Sequence, residues 1–450
     1  MTVTLAEPRS ASAAAAHAPR MEKFVIQGGV PLGGTIRAAG NKNGALPILA
    51  AALLTSEDVV VGNVPRIRDV EALLALLADL GVAVEWTGPN QVRLNASRVD
   101  AGHTALDADL AEAIRASFLL AGPLLARFGT ATMPPPGGDV IGRRRLDPHL
   151  DAFHALGATY DHGREITLTA SGGQLRAGTV FMDEPSVMAT ENALLAAALT
   201  PGVTTIGNAA CEPHVQDLAR MLVKMGAEIG GIGSNVLVVH GRAELGGCTH
   251  DVGPDHIEIG SFMALAGVTG GELRIERVDH DDLRMIRLAF EKLGLRSEAD
   301  GDDLIVPGEQ QLIARRDVGE HKMKVQDGPW PAFPADLTSI AVALATQSSG
   351  SVLIHEWMFE NRLVFTDKLV LMGADITLCD PHRAIVNGPA RLRGQRVESP
   401  DIRAGMAMLI AAACADGESQ IYNIRQIDRG YERIDDRLRA LGMQIERRPV

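Results

Sequence analysis

Apolar residues in "DVEALLALLADLG" recur three and four positions apart as far as Gly81, and the next residues, "VAVEW", alternate apolar with polar. The first spacing predicts an amphipathic helix and the second a half-buried strand. The glycine between them predicts a helix C-cap, because glycine accepts the left-handed conformation. The same succession returns in "LDAFHALGATYDH", "VQDLARMLVKMGAEIGG", "DDLRMIRLAFEKLGLRSEA", "LVFTDKLVLMGADITL" and "YERIDDRLRALGMQIERR". Its glycines are Gly81, Gly157, Gly226, Gly294, Gly373 and Gly442, about 70–80 residues apart.

A second kind of segment accompanies each of these. "ALPILAAALLT", "SFLLAGPLLARFG", "TENALLAAALT", "GSFMALAGVTGG", "LTSIAVALATQSSG" and "RAGMAMLIAAACADG" are small and apolar on every side, as buried helices are. Each ends in a turn signal, and a β-rich run such as "DVVVGNV" or "SVLIHEW" follows. Six similar α/β units divide naturally into two domains of three. Solenoid repeats are usually shorter, roughly 20–50 residues, so a solenoid ranks well below that reading.

Composition narrows the function classes. The 450 residues are 46% apolar and 22% charged, ordinary for a globular chain. A formal net charge of -13 argues against broad nucleic-acid binding, which needs a basic face. No stretch approaches the roughly 18–20 apolar residues of a membrane span. Cys211, Cys248, Cys379 and Cys414 lack C-x-x-C spacing, which fits a reducing, cytoplasmic setting and offers no zinc site. There is no H-E-x-x-H, no phosphate-cradling P-loop and no strand-anchored G-x-G-x-x-G, so neither a metal nor a cofactor is expected. Residues 1–20 are low in complexity and are expected to be a disordered tail, with order beginning near Met21.

Against this acidic background, single charges open the small-residue segments: Lys42 in "GNKNGALP", Arg115 in "IRASFLL", Asp336 in "PADLTSI" and Arg403 in "DIRAGM". A helix start favours anions, so the dipole opposes a cation there. An anionic ligand explains such cations better than helix propensity does. Arg362 in "FENR", Arg429 in "IDRGYERI" and Arg144 in "PGGDVIGRRRLDPH" add loop cations from both halves of the chain. One lysine and five arginines converging in a cleft imply a polyanion such as phosphates plus a carboxylate.

These motifs, with "PSVMATEN" and "PAFPADLT", occur in the order and spacing of one family over about residues 22–448. The chain resembles the enolpyruvyl transferases, in the UDP-N-acetylglucosamine 1-carboxyvinyltransferase branch. The resemblance implies two inside-out α/β domains of three units each, closing on substrate. The boundaries expected are 21–42 plus 250–450 for one domain and 43–249 for the other, which carries an active-site loop at 134–146. The implied partners are small molecules, phosphoenolpyruvate and UDP-N-acetylglucosamine, with no nucleic acid, membrane or cofactor, in a monomer or weak homo-oligomer. The implied reaction moves an enolpyruvyl group to the 3'-OH of the sugar and releases phosphate, by addition and elimination through a tetrahedral intermediate without a metal.

By position in the motifs, Asp336 matches the residue near the sugar hydroxyl and is the candidate base. Asp139 matches the proton donor on the closing loop, and Lys42 and Arg429 complete the catalytic set. Lys42, Asn43, Arg144, Arg362, Arg403 and Arg429 match the phosphoenolpyruvate side. The UDP-sugar side takes Asn43, Arg115, Arg144, Arg145, Leu146, Asp147, Pro148, Glu184, Pro185, Ser186, Val187, Asp336 and Met358.

The chain also departs from the family pattern. Most relatives carry Cys where Asp139 stands, and a minority carry Asp, so activity and resistance to the cysteine-alkylating epoxide fosfomycin are both expected. A carboxylic acid donates a proton at neutral pH only where its surroundings favour the neutral form. The adjacent arginines oppose that, so ligand phosphate and loop closure would have to offset them. Met188 for a glycine, Arg145 for a proline and "ADLT" for "TD[LM]Q" bear on the acceptor more than the donor. The competing expectations are a transferase acting on another nucleotide or sugar, the shikimate-pathway relative, and a catalytically dead binding protein. Retention of Asp336 and the cations argues against the last, since a binder needs no base.

Overall fold

The computed structural model describes residues 21–139 and 141–450. The expected tail at 1–20 lies outside the described residues, as does Val140 of the 134–146 loop. Two separate hydrophobic cores form, one from residues between Ala45 and Val252, the other from Phe24 to Ala38 together with Ile257 to Ile445.

Six sheets, five of four strands and one of three, match the six sequence units. The small-residue segments are the buried helices at the centres. His256–Thr269, Thr338–Ala345 and Ile402–Cys414 pack on one another in one core. In the other core, Lys42–Ala50 runs on through the 3-10 turn Ala51–Leu54 and meets Ala121–Phe128, which packs on Val187–Ala198. Every residue of Thr338–Ala345 is buried, as an all-round apolar helix requires. The sheets lie outside, each with alternating burial, as in Gly350–His355. All six repeat glycines have positive φ, from 88° at Gly157 to 112° at Gly226. At the first, Gly81 donates to the Ala78 carbonyl at 3.0 Å and Val82 to Leu77 at 2.9 Å, which closes the helix and launches the strand.

The chain crosses between cores twice, side by side. Asn41 N donates to Gly253 O at 2.8 Å, and Asp255 N donates to Ala39 O at 2.9 Å. Gly40 lies between them, where a Cβ would meet the Asn63 carbonyl oxygen at 1.8 Å, so only glycine fits. Each core also closes a sheet with a strand distant in the chain. Gly34–Arg37 pairs with Leu273–Glu276, and Cys248–Asp251 pairs with Asp58–Gly62. The N-terminal strand Glu22–Gln27 sits between Glu418–Tyr422 and Gln444–Pro449, completing the last sheet.

Candidate active site

A cavity of about 230 Å³ lies between the two cores. Helix starts from both sides aim charged residues into it. Lys42 opens the helix Lys42–Ala50, whose N-cap Asn41 accepts the Gly44 amide at 2.9 Å. Arg115 opens the 3-10 turn Arg115–Leu120, and Asp336 lies in the turn Ala335–Leu337. Arg403 sits in the first turn of Ile402–Cys414, capped by Asp401.

Asp336 is the hub of one wall. Its carboxylate accepts from Arg362 at 3.0 Å, from Arg403 at 2.9 and 3.1 Å and from Asn43 at 3.4 Å. Burial alone would favour its neutral form, but Arg403, Arg362 and Lys42 outweigh it and hold the acid below the usual carboxylate range. Arg403 is held in turn by Tyr431, whose hydroxyl is 3.4 Å away and also 3.1 Å from Ser261. Burial opposes the Arg403 charge, and Asp336, Tyr431 and Asp255 together more than offset that.

A second charged set spans the cores. Asp69, in the first turn of Arg68–Asp79, is buried and takes Lys42 at 3.0 Å and Arg429 at 2.8 Å. Arg429 also donates to Asp139 on the loop from Pro134 to Leu146. That loop is seated on the opposite core. Ile141 O accepts the Asn361 amide at 3.0 Å, and Arg143 N donates to Glu360 Oε2 at 3.2 Å. Arg115, from the loop's own core, holds the loop's C-terminal end by donating to Arg144 O at 2.6 Å. Burial and then Arg144 push Arg115 down to about 10. Burial also lowers Arg144, with Asp139 and Asp336 working against the shift.

Of the residues expected from the sequence, Lys42, Asn43, Arg115, Asp139, Arg144, Val187, Asp336, Met358, Arg362, Arg403 and Arg429 all line this cavity. Arg145, Leu146, Asp147, Pro148, Glu184, Pro185 and Ser186 do not line it. They stand beside it, joined by ion pairs from Arg145 to Asp183 at 2.7 Å, Asp147 at 3.4 Å and Glu184 at 3.6 Å. Ser186 caps the Val187–Ala198 helix, whose first residues, Val187 and Met188, reach the cavity.

Sequence reasoning missed several lining residues: Asp69, Glu191, Glu212, His214, His256 and Trp330. Asp69 looked like an ordinary first-turn acid, and its partners lie far away in the chain. Glu191 did carry a signal, since "TENALLAAAL" is apolar apart from its first three residues. His214 stacks on His256 with ring centroids 6.2 Å apart, and the edge of Trp330 meets His256 at 5.9 Å.

Two cores of three α/β units, closed over cations that converge from helix starts, are the architecture of an enolpyruvyl transferase. The family model described as EPSP synthase (3-phosphoshikimate 1-carboxyvinyltransferase) matches residues 26–438, and the chain belongs to that family. Within it, the chain is 55% identical over 427 residues to a UDP-N-acetylglucosamine 1-carboxyvinyltransferase of Bradyrhizobium diazoefficiens, covering 95% of this chain and 98% of that one. It is 51% identical over 426 residues to the protein of the same name from Treponema denticola, covering 95% and 99%. Among solved structures, the enolpyruvyl transferase NikO from Streptomyces tendae superposes with a TM-score of 0.84 at 25% identity, covering 96% and 100%. EPSP synthase from Acinetobacter baumannii shares the fold, with a TM-score of 0.71 at 19% identity, covering 95% and 100%.

Proposed function

We propose that this enzyme transfers the enolpyruvyl group of phosphoenolpyruvate to the 3'-OH of UDP-N-acetylglucosamine and releases phosphate, the first committed step of peptidoglycan synthesis. The observation that carries the reading is the convergence of Lys42, Arg144, Arg362, Arg403 and Arg429 around Asp336 and Asp139 in one closed cavity. Five cations suit a donor bearing both a phosphate and a carboxylate. The altered-acceptor reading is not favoured, because relatives 47–55% identical over nearly their whole length carry the UDP-N-acetylglucosamine name.

Asp336 takes the proton of the 3'-OH as its oxygen bonds to C2 of the donor. Asp139, as the neutral acid, gives a proton to the donor's methylene carbon, which becomes a methyl group. In the second stage the methyl group returns a proton to Asp139, the C2–O bond to phosphate breaks, phosphate leaves with the proton that Asp336 took, and the enolpyruvyl ether remains. Arg362 and Arg403 hold Asp336 as a poor base. A donor that draws these guanidiniums to its own anions raises the proton affinity of Asp336, so the base strengthens once phosphoenolpyruvate is in place. Phosphate drawn to Arg429 releases Asp139 from its ion pair with that arginine. The seated loop excludes water from the intermediate.

Both walls of the cavity come from one chain, which suits a monomer or weak homo-oligomer. The two cores serve as the two domains that close on substrate, in the cytoplasm where nucleotide sugars are made. Among the described residues no helix is long and apolar enough to cross a membrane.

Phosphate release from phosphoenolpyruvate, measured with UDP-N-acetylglucosamine, UMP, other UDP-sugars and shikimate 3-phosphate, tests the reading. Turnover is expected with UDP-N-acetylglucosamine. Turnover only with another acceptor overturns it, and none at all points to a binding protein. Purified enzyme is expected to keep its activity after incubation with fosfomycin, and Asp139→Cys to lose it. Inhibition of the parent enzyme that disappears in Asp139→Asn contradicts the role given to Asp139.

A further inference from the structure

The floor of the cavity holds a polar set that the chemistry above leaves unused. Glu191 lies in the helix Val187–Ala198 and is 1% exposed, with no hydrogen-bond partner for Oε1 among the described residues. Glu212 precedes the helix Pro213–Lys224. One of its oxygens accepts the Trp330 amide at 3.4 Å, while Oε2 is unpaired. His214 is 6% exposed and neither ring nitrogen is bonded. All three line the cavity.

Four unpaired buried polar atoms in one place are costly, at about 1–3 kcal/mol each, and native proteins rarely keep such groups without a use. The set also lies close to the reacting hydroxyl's expected position. His214 packs on Gly44 so closely that a Cβ there would meet the His214 Cβ at 3.3 Å. Asn43, the neighbour of Gly44, donates to Asp336. Glu212 is tied through Trp330 to the segment that leads to Asp336.

The charge state of the set selects its ligand. Burial, and then Glu212, push Glu191 well above the usual carboxylate range, which favours its neutral, proton-donating form. Burial pushes His214 down to about 3, leaving an uncharged ring that offers one donor and one acceptor. An anion gains little from such a floor. A neutral group that both donates and accepts, namely an amide, satisfies it.

We propose that Glu191, Glu212 and His214 form a subsite for a neutral amide of the acceptor, the acetamido group of an N-acetylated amino sugar. The proposal rests on the UDP-sugar reading above. In UDP-N-acetylglucosamine the acetamido group is carried by C2, bonded directly to the carbon whose hydroxyl reacts. A sugar placed with that hydroxyl at Asp336 therefore delivers its amide to the adjoining floor.

Steady-state kinetics with UDP-N-acetylglucosamine and with UDP-glucose, which has a hydroxyl in place of the acetamido group, test it. In Glu191→Met the KM for UDP-N-acetylglucosamine rises about tenfold or more, the equivalent of one lost hydrogen bond to a buried partner. The KM values for UDP-glucose and phosphoenolpyruvate change by less than about threefold. Glu191→Gln keeps a neutral donor and preserves the preference between the two sugars. Equal effects on both sugars, an effect on phosphoenolpyruvate alone, or a Gln variant as impaired as the Met variant overturn the subsite. His214→Phe, checked for folding by thermal melting, carries the same expectation if the Met variant fails to fold. Wild-type enzyme that ignores UDP-N-acetylglucosamine instead sinks the functional reading itself.

Discussion

The wall and the floor of one cavity bury polar groups in opposite ways. On the wall, Asp336 is matched by Arg362 and Arg403, and Asp69 by Lys42 and Arg429. On the floor, Glu191, Glu212 and His214 keep polar atoms unpaired. The wall is held ready by its own ion pairs, and a substrate must compete for the arginines. On the floor burial favours the uncharged forms of Glu191, Glu212 and His214, and a substrate needs only to supply the missing partners. Anionic and uncharged parts of the ligands are thereby sorted to different sides.

The comparison can be broken most forcefully at Asp336. Asp336→Asn keeps the shape but removes the base, and kcat in the phosphate-release assay is expected to fall by about 10²–10⁴. A loss below tenfold assigns the base elsewhere. Next is Asp69→Ala, which leaves Lys42 and Arg429 without their shared counter-ion. Removing one partner of a buried pair costs roughly 3–5 kcal/mol, which denaturant unfolding measures directly. No change in the unfolding midpoint would show that the wall does not depend on these pairs.

The smallest effect is the most discriminating, because wall and floor respond to pH with opposite sign. Asp336 is depressed, so its contribution to stability is present above the unfolded value of about 3.9 and fades as pH falls below it. The melting temperature of Asp336→Asn should thus lie below the parent's at pH 7, with the gap closing in acid. Glu191 is raised, so the folded state retains a proton that the unfolded chain loses above about 4.3, and stability declines as pH rises from there. Glu191→Gln removes that penalty. Its melting temperature should exceed the parent's by a few degrees at pH 8 (about 2–4 °C per kcal/mol for a unit of roughly 150–250 residues, the size of one core) and match it near pH 4. Gaps of the same sign for both variants would erase the distinction.

How legible all this is from the sequence depends on distance along the chain. The six helix–glycine–strand successions are local, and the positive φ at Gly81, Gly157 and the other four glycines follows directly from periodicity and capping. The apolar helices were equally plain, because no face of "LTSIAVALA" could meet water. The pairing of Asp69 with Lys42, or of Asp139 with Arg429, depends on segments brought together only by the fold. Nothing near Asp69 in the sequence distinguishes it from an exposed first-turn acid. Family resemblance, rather than pattern, supplied the candidate roles of Asp336 and the arginines. The floor escaped notice because Glu191 lies in a segment read as a buried helix, while Glu212 and His214 sit in a connecting stretch with no pattern of its own.

The doubled crossing at Ala39–Asn41 and Gly253–Asp255 has a mechanical consequence. Two strands pinned to each other by hydrogen bonds resist shear and twist far more than a single tether does, yet they still fold about a line across both. The joint therefore behaves as a door hinge with one axis. Lys42, immediately after one strand, and the Asp255 cap, at the end of the other, ride on the hinge itself. Rotation of one core against the other about that axis would carry Lys42 and Asp69 toward Asp336 and Arg429 along a single path.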